Sequence, residues 1–256
     1  MKLSIFDKKD LFIALFGILK NTSSVIGLYF EEDKIRIQGM DKSHIGLFDV
    51  YISKEWLNSY DKENSCEIDN IFIDSIIFFN IISSAHESHT IHIRFNKNTD
   101  LIQIDLLGEE KGEFDRFFKI PLANMEYKLV SIKIVDYDAE FTISTKKIYE
   151  ITGQMINFGT DLNIQCSEEK INLFTTGIHG EMKVNIPIQD LTEYAICEGE
   201  NINITYNLNF IHKMCLSTKL SQELEISISL EYPLKIKYDL GKNSSLVFFI
   251  APKITE

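Results

Sequence analysis

Hydrophobic residues follow two different spacings along this chain, and the two spacings alternate four times. Stretches with apolar residues every three to four positions predict amphipathic helices, over residues 8–20, 74–85, 146–157 and 207–216. After each predicted helix come two stretches in which every second residue is apolar, as at Ile91, Ile93 and Phe95. This alternation predicts strands with one buried face, and the short polar stretch between them predicts a hairpin turn.

The helix–hairpin units recur about every 65–70 residues, which indicates a repeated supersecondary unit. The predicted hairpin strands are 25–30 with 34–40, 90–95 with 100–106, 162–166 with 170–174, and 224–230 with 234–240. Further strands are predicted at 47–52, 66–73, 114–122, 182–188, 202–206 and 246–250. Helices on one face of antiparallel sheets give an α+β fold. The units pair into two similar domains, residues 1–121 and 139–256, joined by a connector at 122–138.

The composition supports a packed core and does not favour general binding to nucleic acid. Of the 256 residues 45% are hydrophobic, including 18 Phe and 10 Tyr, so a globular chain is expected. The formal net charge is −12. Because affinity for DNA comes from neutralising phosphates with Lys and Arg, the charge alone favours an ordinary acidic protein.

The cysteines and the N-terminal segment indicate a reducing compartment and no membrane anchor. The 4 Cys are scattered without a C-x-x-C pair, which favours reduced thiols. The apolar run 11–19 follows Asp7 and Asp10 and ends at Lys20, so a buried helix is predicted rather than a signal peptide. Since no stretch reaches the roughly 20 apolar residues of a membrane span, we expect no membrane association.

The motifs of common catalytic sites are missing from the sequence. No glycine-rich phosphate loop or G-x-S-x-G elbow is present. His86, His89 and His92 lie close together, but the last two have odd spacing on a strand, so they are predicted to be surface histidines on opposite faces rather than metal ligands. The pair Ser43 and His44 has no third group for a catalytic relay. We therefore predict a protein that is not an enzyme, with no metal and no cofactor.

Three short segments carry a resemblance to a known family. Residues 40–47 read MDKSHIGL, residues 230–235 read LEYPLK, and residues 248–254 read FFIAPKI near the end of the chain. In order and spacing they resemble the signature segments of proliferating cell nuclear antigen, the eukaryotic sliding DNA clamp. The resemblance implies a polymerase processivity factor whose copies form a head-to-tail trimeric ring around DNA. Twelve helices about 10 Å wide would then line a hole on the order of 30 Å across.

The resemblance also implies a hydrophobic pocket into which partner proteins insert a helical turn with aromatic and aliphatic side chains. Its floor comes from the first signature segment, its walls from the other two, and its lid from the connector. Carried over by position, the predicted pocket consists of Met40, His44, Ile45, Leu47, Ile134, Val135, Tyr137, Tyr232, Pro233, Leu234, Ala251, Pro252, Lys253 and Ile254.

The inner helices of the family carry basic residues toward DNA, and this chain has few at those positions. The predicted DNA-facing residues are Lys8, Lys9, Lys20, Lys111, Lys146, Lys147, His212, Lys213 and Lys219. In the second helix Ile77 and Asn80 stand where the family usually has lysines. We therefore expect weak direct binding to DNA, with a shallow dependence on salt.

The resemblance implies subunit contacts between edge strands, since unpaired edges are protected by burial. The predicted apolar contacts are Phe114, Phe117 and Ile178. The implied partners are duplex DNA, DNA polymerase and other proteins with clamp-binding peptides, a clamp loader, and further copies of the chain in a homotrimer. A nuclear location is expected, or a cytoplasmic replication site if the lineage is viral.

Two alternatives stay open at this point. The same fold could be a monomeric or dimeric processivity factor that holds DNA by charge, or one subunit of a mixed ring. An enzyme on an α+β scaffold is the alternative from another class, and it would need a pocket with convergent titratable groups, for which the sequence offers no candidate.

Overall fold

The computed structural model describes residues 1–62, 69–96, 99–108, 110, 112–125 and 129–253. The chain divides into two compact units. Unit 1 comprises residues 1–40, 48–130 and 240–246, and unit 2 comprises residues 41–47, 131–239 and 247–256. Each unit combines two helices with antiparallel strands, so the predicted α+β class is confirmed. Within the described residues, no helix is long and apolar enough to cross a membrane.

All four predicted helices are present, with ends displaced by up to three residues. They are α1 Lys9–Thr22, α2 Ser75–Ile82, α3 Thr145–Met155 and α4 Leu208–Met214. Side-chain caps fix the N-terminal ends of two of these helices, α2 and α4. The carboxylate of Asp74 accepts the backbone N–H groups of Ile76 and Ile77, and the amide oxygen of Asn207 accepts that of Phe210. A cap residue satisfies amides that have no partner inside the helix, so it lies just before the first helical residue.

Unit 1 contains two groups of adjacent strands, in the orders β5-β1-β7-β8-β9 and β4-β3-β2-β6. The strands are β1 Lys2–Ile5, β2 Val25–Phe30, β3 Lys34–Met40, β4 Gly46–Ser53, β5 Ser59–Asp61, β6 Asp69–Asp74, β7 His89–Phe95, β8 Leu101–Gly108 and β9 Arg116–Pro121. A single 3-10 turn, Lys54–Trp56, follows β4.

The core of unit 1 lies under its two helices. The rings of Phe12 and Phe16 in α1 have centroids 4.7 Å apart, and Phe16 lies 4.6 Å from Phe78 of α2. Aromatic pairs at these distances stabilise a core beyond the area they bury. All three rings are buried, which shows that the helices pack through their apolar stripes as the period of their sequences predicts.

Unit 2 repeats this plan, in the strand orders β14-β10-β16-β17-β18 and β13-β12-β11-β15. The strands are β10 Ala139–Ser144, β11 Asp161–Cys166, β12 Lys170–Gly177, β13 Gly180–Pro187, β14 Glu193–Ile196, β15 Ile202–Asn207, β16 Glu223–Ile228, β17 Leu234–Gly241 and β18 Ser244–Ile250. A second 3-10 turn is Ile188–Asp190. The buried hydroxyl of Tyr238 donates to the carbonyl of Met214 at 2.7 Å, which ties β17 to the end of α4.

The hairpin predictions are confirmed within a few residues, and four strands were not predicted. These are β1, β5, β10 and β14, of which β5 and β14 are only three and four residues long. Of the predicted strand 66–73, residues 66–68 lie outside the described residues, and β6 runs from Asp69 to Asp74.

Candidate functional site

The first signature segment forms a tight loop between β3 and β4, organised by the buried carboxylate of Asp41. One oxygen of Asp41 accepts the backbone N–H of Ser43 at 2.7 Å, and the other accepts those of Ile45 and Gly46 at 2.8 and 2.6 Å. Inside this loop His44 has a φ of 56°, a left-handed conformation that a non-glycine residue adopts only when its surroundings hold it there. Asp41 therefore positions the backbone of the predicted pocket floor.

The C-terminal segment after β18 is anchored to this loop. The N–H of Ala251 donates to the carbonyl of Ile45 at 2.9 Å. The N–H of Lys253 donates to the carbonyl of Thr205 at 2.8 Å, and its ammonium pairs with the carboxylate of Asp161. Residues 41–47 of the predicted floor and residues 251–253 of one predicted wall are therefore joined within unit 2.

A second anchored group joins the end of the connector to the turn before β17. The carboxylate of Asp138 accepts the N–H of Leu230 at 2.8 Å, and the backbone N–H of Asp138 donates to the carbonyl of Ile228 at 3.0 Å. The ammonium of Lys235 lies 5.1 Å from the ring centroid of Tyr137. Burial, with a smaller effect of nearby Glu140, raises the pKa of the Tyr137 phenol, so this ring stays neutral at physiological pH.

The geometry of the β17–β18 hairpin relates the two anchored groups. These neighbouring strands are joined by a turn at Lys242 and Asn243, both with positive φ. In a hairpin with so short a connection, the start of the first strand lies beside the end of the second. The turn at residues 229–233 and the tail at 251–253 therefore lie at the same end of the hairpin, within unit 2.

Most predicted pocket residues are accessible at this site. Ile134 of the connector is fully exposed, and Tyr232 is 38% exposed. The partly buried residues are Ile45, Leu47, Val135, Tyr137, Ala251 and Pro252, and the exposed ones are His44, Pro233 and Lys253. Met40 ends β3 and belongs to unit 1, and Ile254 lies outside the described residues.

One predicted pocket residue is wrongly placed. Leu234 is only 1% exposed, because it is the first residue of β17 and its side chain faces the core. Its neighbour Leu230 was not included in the predicted set and is 54% exposed. The accessible apolar side chains at this end of the hairpin therefore include Leu230 and Tyr232, and Ile134 is exposed in the connector.

The predicted DNA-facing cations are unevenly exposed. Lys146 and Lys147 on α3, Lys213 on α4 and Lys219 after α4 are all exposed, and we call these four the unit-2 lysines. Among them, Lys146 lies 4.0 Å from Glu150, at the limit of an ion pair. Lys111 lies outside the described residues.

One predicted DNA-facing cation, Lys9, is wrong, and a second, His212, is half-buried. Lys9 is 5% exposed, and its ammonium donates to backbone carbonyls of His86, Glu87 and His89 at 2.6–2.7 Å, so it is held inside unit 1. Burial lowers the pKa of Lys9. His212 stacks on Tyr149 with ring centroids 5.0 Å apart, and burial lowers its pKa, which favours the neutral ring.

The remaining two candidate lysines, both in unit 1, contact aromatic rings. The ammonium of Lys20 lies 3.7 Å from the ring centroid of Phe79, and that of Lys8 lies 4.9 Å from the ring of Trp56. Such contacts hold the cation against the protein surface. On α2 of the same unit, Ile76 and Ile77 are each about half exposed.

The predicted subunit contacts lie at sheet edges. Strand β9 ends one sheet of unit 1, and β13 ends one sheet of unit 2. Phe117 lies on β9, and Phe114 comes two residues before β9 begins. Ile178 lies in the two-residue turn before β13. Their exposed fractions are 64%, 81% and 95%, respectively. Large apolar side chains this exposed at a strand edge indicate an interaction surface.

The histidines require a further correction. His89 was predicted to lie on the surface, but its side chain is fully buried at the start of β7. His86 is exposed in the preceding loop. Within the described part of the chain, no group of three or more His, Cys, Asp or Glu side chains is arranged to hold a metal ion.

Comparison with known proteins points in one direction. The family model for the C-terminal domain of proliferating cell nuclear antigen matches residues 131–253. Residues 131–253 of this chain therefore carry a C-terminal domain of the proliferating cell nuclear antigen family. Proliferating cell nuclear antigen 2 of Plasmodium falciparum is 27% identical, with 95% of each chain covered. DNA polymerase sliding clamp 2 of Sulfolobus acidocaldarius is 24% identical over 99% of each chain. Proliferating cell nuclear antigen of Saccharomyces cerevisiae is 21% identical over 98% of this chain and 97% of its own.

The family match includes the signature segments at 230–235 and 248–253, and the similarity to sliding clamps over nearly the whole chain supports the resemblance at 40–47 as well. The prediction that the chain is not an enzyme agrees with these matches.

Three contributors to the site escaped the sequence interpretation. Asp41 comes directly after the predicted strand 34–40, a position from which a carboxylate can accept backbone N–H groups of a turn, whereas Asp138 is the last residue of the predicted connector and precedes a strand that was not predicted. Leu230 continues the alternation of Ile226 and Ile228, which predicts a buried side chain, and it is exposed because β16 ends at Ile228, so no signal in the sequence marked it.

Proposed function

We propose that this protein is a sliding clamp that tethers a DNA polymerase, and other proteins with clamp-binding peptides, to duplex DNA. The observation that carries the proposal is the similarity to sliding clamps along almost the whole chain, from Plasmodium, Sulfolobus and yeast alike. It agrees with the anchored apolar site in unit 2. By similarity to the eukaryotic relatives we place the protein in the nucleus.

The apolar site of unit 2 is the proposed peptide-binding pocket. Leu230, Tyr232 and Ile134 offer accessible apolar surface, and the hydrogen bonds of Asp41 and Asp138 hold the backbone beneath them. A rigid apolar surface with few polar groups suits aromatic anchors, because little conformational entropy is lost when they bind.

A fluorescent peptide with two aromatic residues and one aliphatic residue in a helical turn tests this pocket. Ile134→Ala and Tyr232→Ala should each weaken its binding by about tenfold or more, the loss expected for a central apolar contact. Met40→Ala, and Pro252→Ala combined with Lys253→Ala, should also weaken it. Ile76→Ala, on the exposed face of α2, is the matched control. Equal affinity for all the variants would reject the pocket.

We further propose that copies of the chain associate edge to edge, β9 of one copy beside β13 of the next, into a closed homotrimeric ring. The exposed Phe114, Phe117 and Ile178 support this, because each edge by itself leaves large apolar side chains in water. Edge pairing between two different surfaces of one chain gives head-to-tail contacts, which close into rings. A molar mass in solution near three times 29.6 kDa is the expected result.

DNA retention separates a ring from a clamp held by charge. A closed ring should remain on circular DNA and leave linear DNA by sliding off its ends, whereas a charge-held factor should show the same retention on both. The ring is favoured because Lys9, one of the cations that a charge-held factor would use, is buried and bonded to backbone carbonyls instead. A closed ring cannot thread circular DNA unaided, so we also propose that a clamp loader opens it.

A further inference from the structure

A cluster of polar side chains in unit 1 lies directly beside the exposed edge at β9. His89 is fully buried, and its Nδ1 accepts the backbone N–H of His86 at 2.9 Å. A neutral imidazole that accepts at Nδ1 carries its proton on Nε2. This Nε2 lies 3.5 Å from one carboxylate oxygen of Glu113. At this distance and geometry the two groups make no hydrogen bond, but Glu113 is the carboxylate that lies beside the buried N–H of His89.

The second carboxylate oxygen of Glu113 is engaged from the other side. It lies 3.0 Å from Nδ1 of His86, whose ring is more exposed. Gly108 makes room for this arrangement, since a Cβ at Gly108 would lie 2.8 Å from the Cβ of Glu113 and 3.2 Å from the ring of His89. Glu113 is thus seated between two histidines, against a strand that has no side chain at that point.

The loop that carries both histidines is itself held by α1. All three donors of the Lys9 ammonium are used by backbone carbonyls of this loop, those of His86, Glu87 and His89. An ammonium has three donors and no acceptor, so this arrangement satisfies it completely. Asp10 and Glu87 are the carboxylates that act on Lys9. The histidine loop is therefore a rigid support rather than a free surface turn.

The residues that follow Glu113 have little apolar packing of their own. Phe114 and Phe117 are mostly exposed, so burial does not hold this edge in place. Polar contacts hold it instead: the carboxylate of Asp115 accepts the N–H of Gly108 at 3.0 Å, and Arg116 donates to the carbonyl of Ser84 at 2.7 Å. Glu113 is the first contact of this series and directly precedes Phe114.

Resting on the self-association proposed above, we infer that Glu113 is a positioning residue for the subunit interface. Seated on His86 and His89, it holds residues 113–117 in the conformation that presents Phe114 and Phe117 to the β13 edge of a second copy. Binding then requires less ordering of the edge, which improves affinity through preorganisation rather than through a contact of Glu113 itself with the partner.

The first test measures association of the full chain by sedimentation at several concentrations. We expect Glu113→Ala to weaken association by about tenfold, and Glu113→Gln, which keeps an acceptor oxygen, to recover most of that loss. Glu110→Ala removes the same charge from an exposed neighbouring position and should leave association unchanged. Phe117→Glu, which alters the interface directly, should abolish it.

The outcomes separate the inference from the proposal on which it rests. If the wild-type chain does not associate at all, the proposed ring fails and the inference fails with it. If the wild type associates and Phe117→Glu does not, while Glu113→Ala behaves as wild type, only the role of Glu113 is overturned.

A second measurement distinguishes positioning from direct contact with the partner. In the monomeric Phe117→Glu background, Glu113→Ala should raise amide hydrogen exchange at residues 113–116 several-fold relative to that background. Unchanged exchange, together with weakened association of Glu113→Ala alone, would mean that Glu113 touches the partner directly, and the positioning role would be overturned.

Discussion

Replacing Asp41 tests whether one buried carboxylate organises the floor of the proposed pocket. Its three bonds to the N–H groups of Ser43, Ile45 and Gly46 are short, and the acceptor is charged. Hydrogen bonds to charged groups contribute about 1.5–3 kcal/mol each. The amide of Ser43 can turn to water in the exposed part of the loop, and the other two amides share one oxygen of Asp41, so their contributions are not additive. We therefore expect Asp41→Ala to lower the free energy of loop opening by about 2–4 kcal/mol.

Native-state hydrogen exchange of single amides is the direct assay. A loss of about 2–4 kcal/mol corresponds to roughly 30- to 1,000-fold faster exchange at Ile45 and Gly46. Asp41→Asn keeps one acceptor oxygen but turns an amide donor toward Ser43, so its effect should lie between wild type and alanine. Peptide affinity should fall in the same order, since the loop must be ordered again before the peptide can bind.

The matched control is Asp33→Ala, which removes the same charge from an exposed turn between β2 and β3. It should leave both exchange and peptide affinity unchanged. If Asp41→Ala exchanges as slowly as wild type at Ile45 and Gly46, the carboxylate does not hold the loop. If exchange rises and peptide affinity stays the same, the loop is not part of the peptide site.

Three further predictions follow from the buried and exposed groups. Lys9→Met leaves three carbonyls without their donor and should lower the free energy of unfolding in urea by about 3 kcal/mol, whereas Lys146→Met on an exposed helix face should change it by less than about 0.5 kcal/mol. Burial raises the pKa of the Cys166 and Cys215 thiols to about 12, so both stay protonated at pH 8. Iodoacetamide should therefore label the exposed Cys197 in preference to these two, and mass spectrometry of the labelled native protein measures this. Replacing all four unit-2 lysines by Gln should reduce the salt slope of DNA binding by about 3–4 per copy, and an unchanged slope would show that DNA does not contact them.

The elements that the sequence predicted correctly are those whose own pattern determines their structure. In α1 and α3 the helical period is long enough to be read alone, and in β7 and β8 alternation separates the buried side from the exposed side. The strands that were missed depend on a partner instead. Strand β14 has four residues and pairs with β10 across more than 50 residues of sequence, so its own letters carry little information.

The site was predictable in part for the same reason. The signature segments identified the loop, the turn and the tail, but the contacts that join them are between residues far apart in sequence. Lys9 is different, because a signal was available. It lies three and seven positions before Phe12 and Phe16, on the apolar stripe of α1, so the helical period places it on the buried face. The position of Lys9 on the buried face of α1 should have outweighed its positive charge when the DNA-facing residues were predicted. His212 gave no such signal, because its burial depends on Tyr149 of another helix.

The distribution of charge bears on how such a protein can stay on DNA. The chain carries a formal charge of −12, and among the predicted DNA-facing residues that the structure describes, the exposed cations are the four unit-2 lysines, while α2 of unit 1 exposes Ile76 and Ile77. Each phosphate contact contributes roughly 0.9 to the salt slope, so four contacts make only a modest, easily screened attraction. A single copy held by these lysines would therefore dissociate readily at physiological salt.

Closure around the duplex removes that limit, because a closed ring leaves DNA only by opening or by reaching an end of the duplex. The low positive charge of the helices is thus a reason to expect closure, and comparison of circular with linear DNA at rising salt is the experiment on which that reasoning depends.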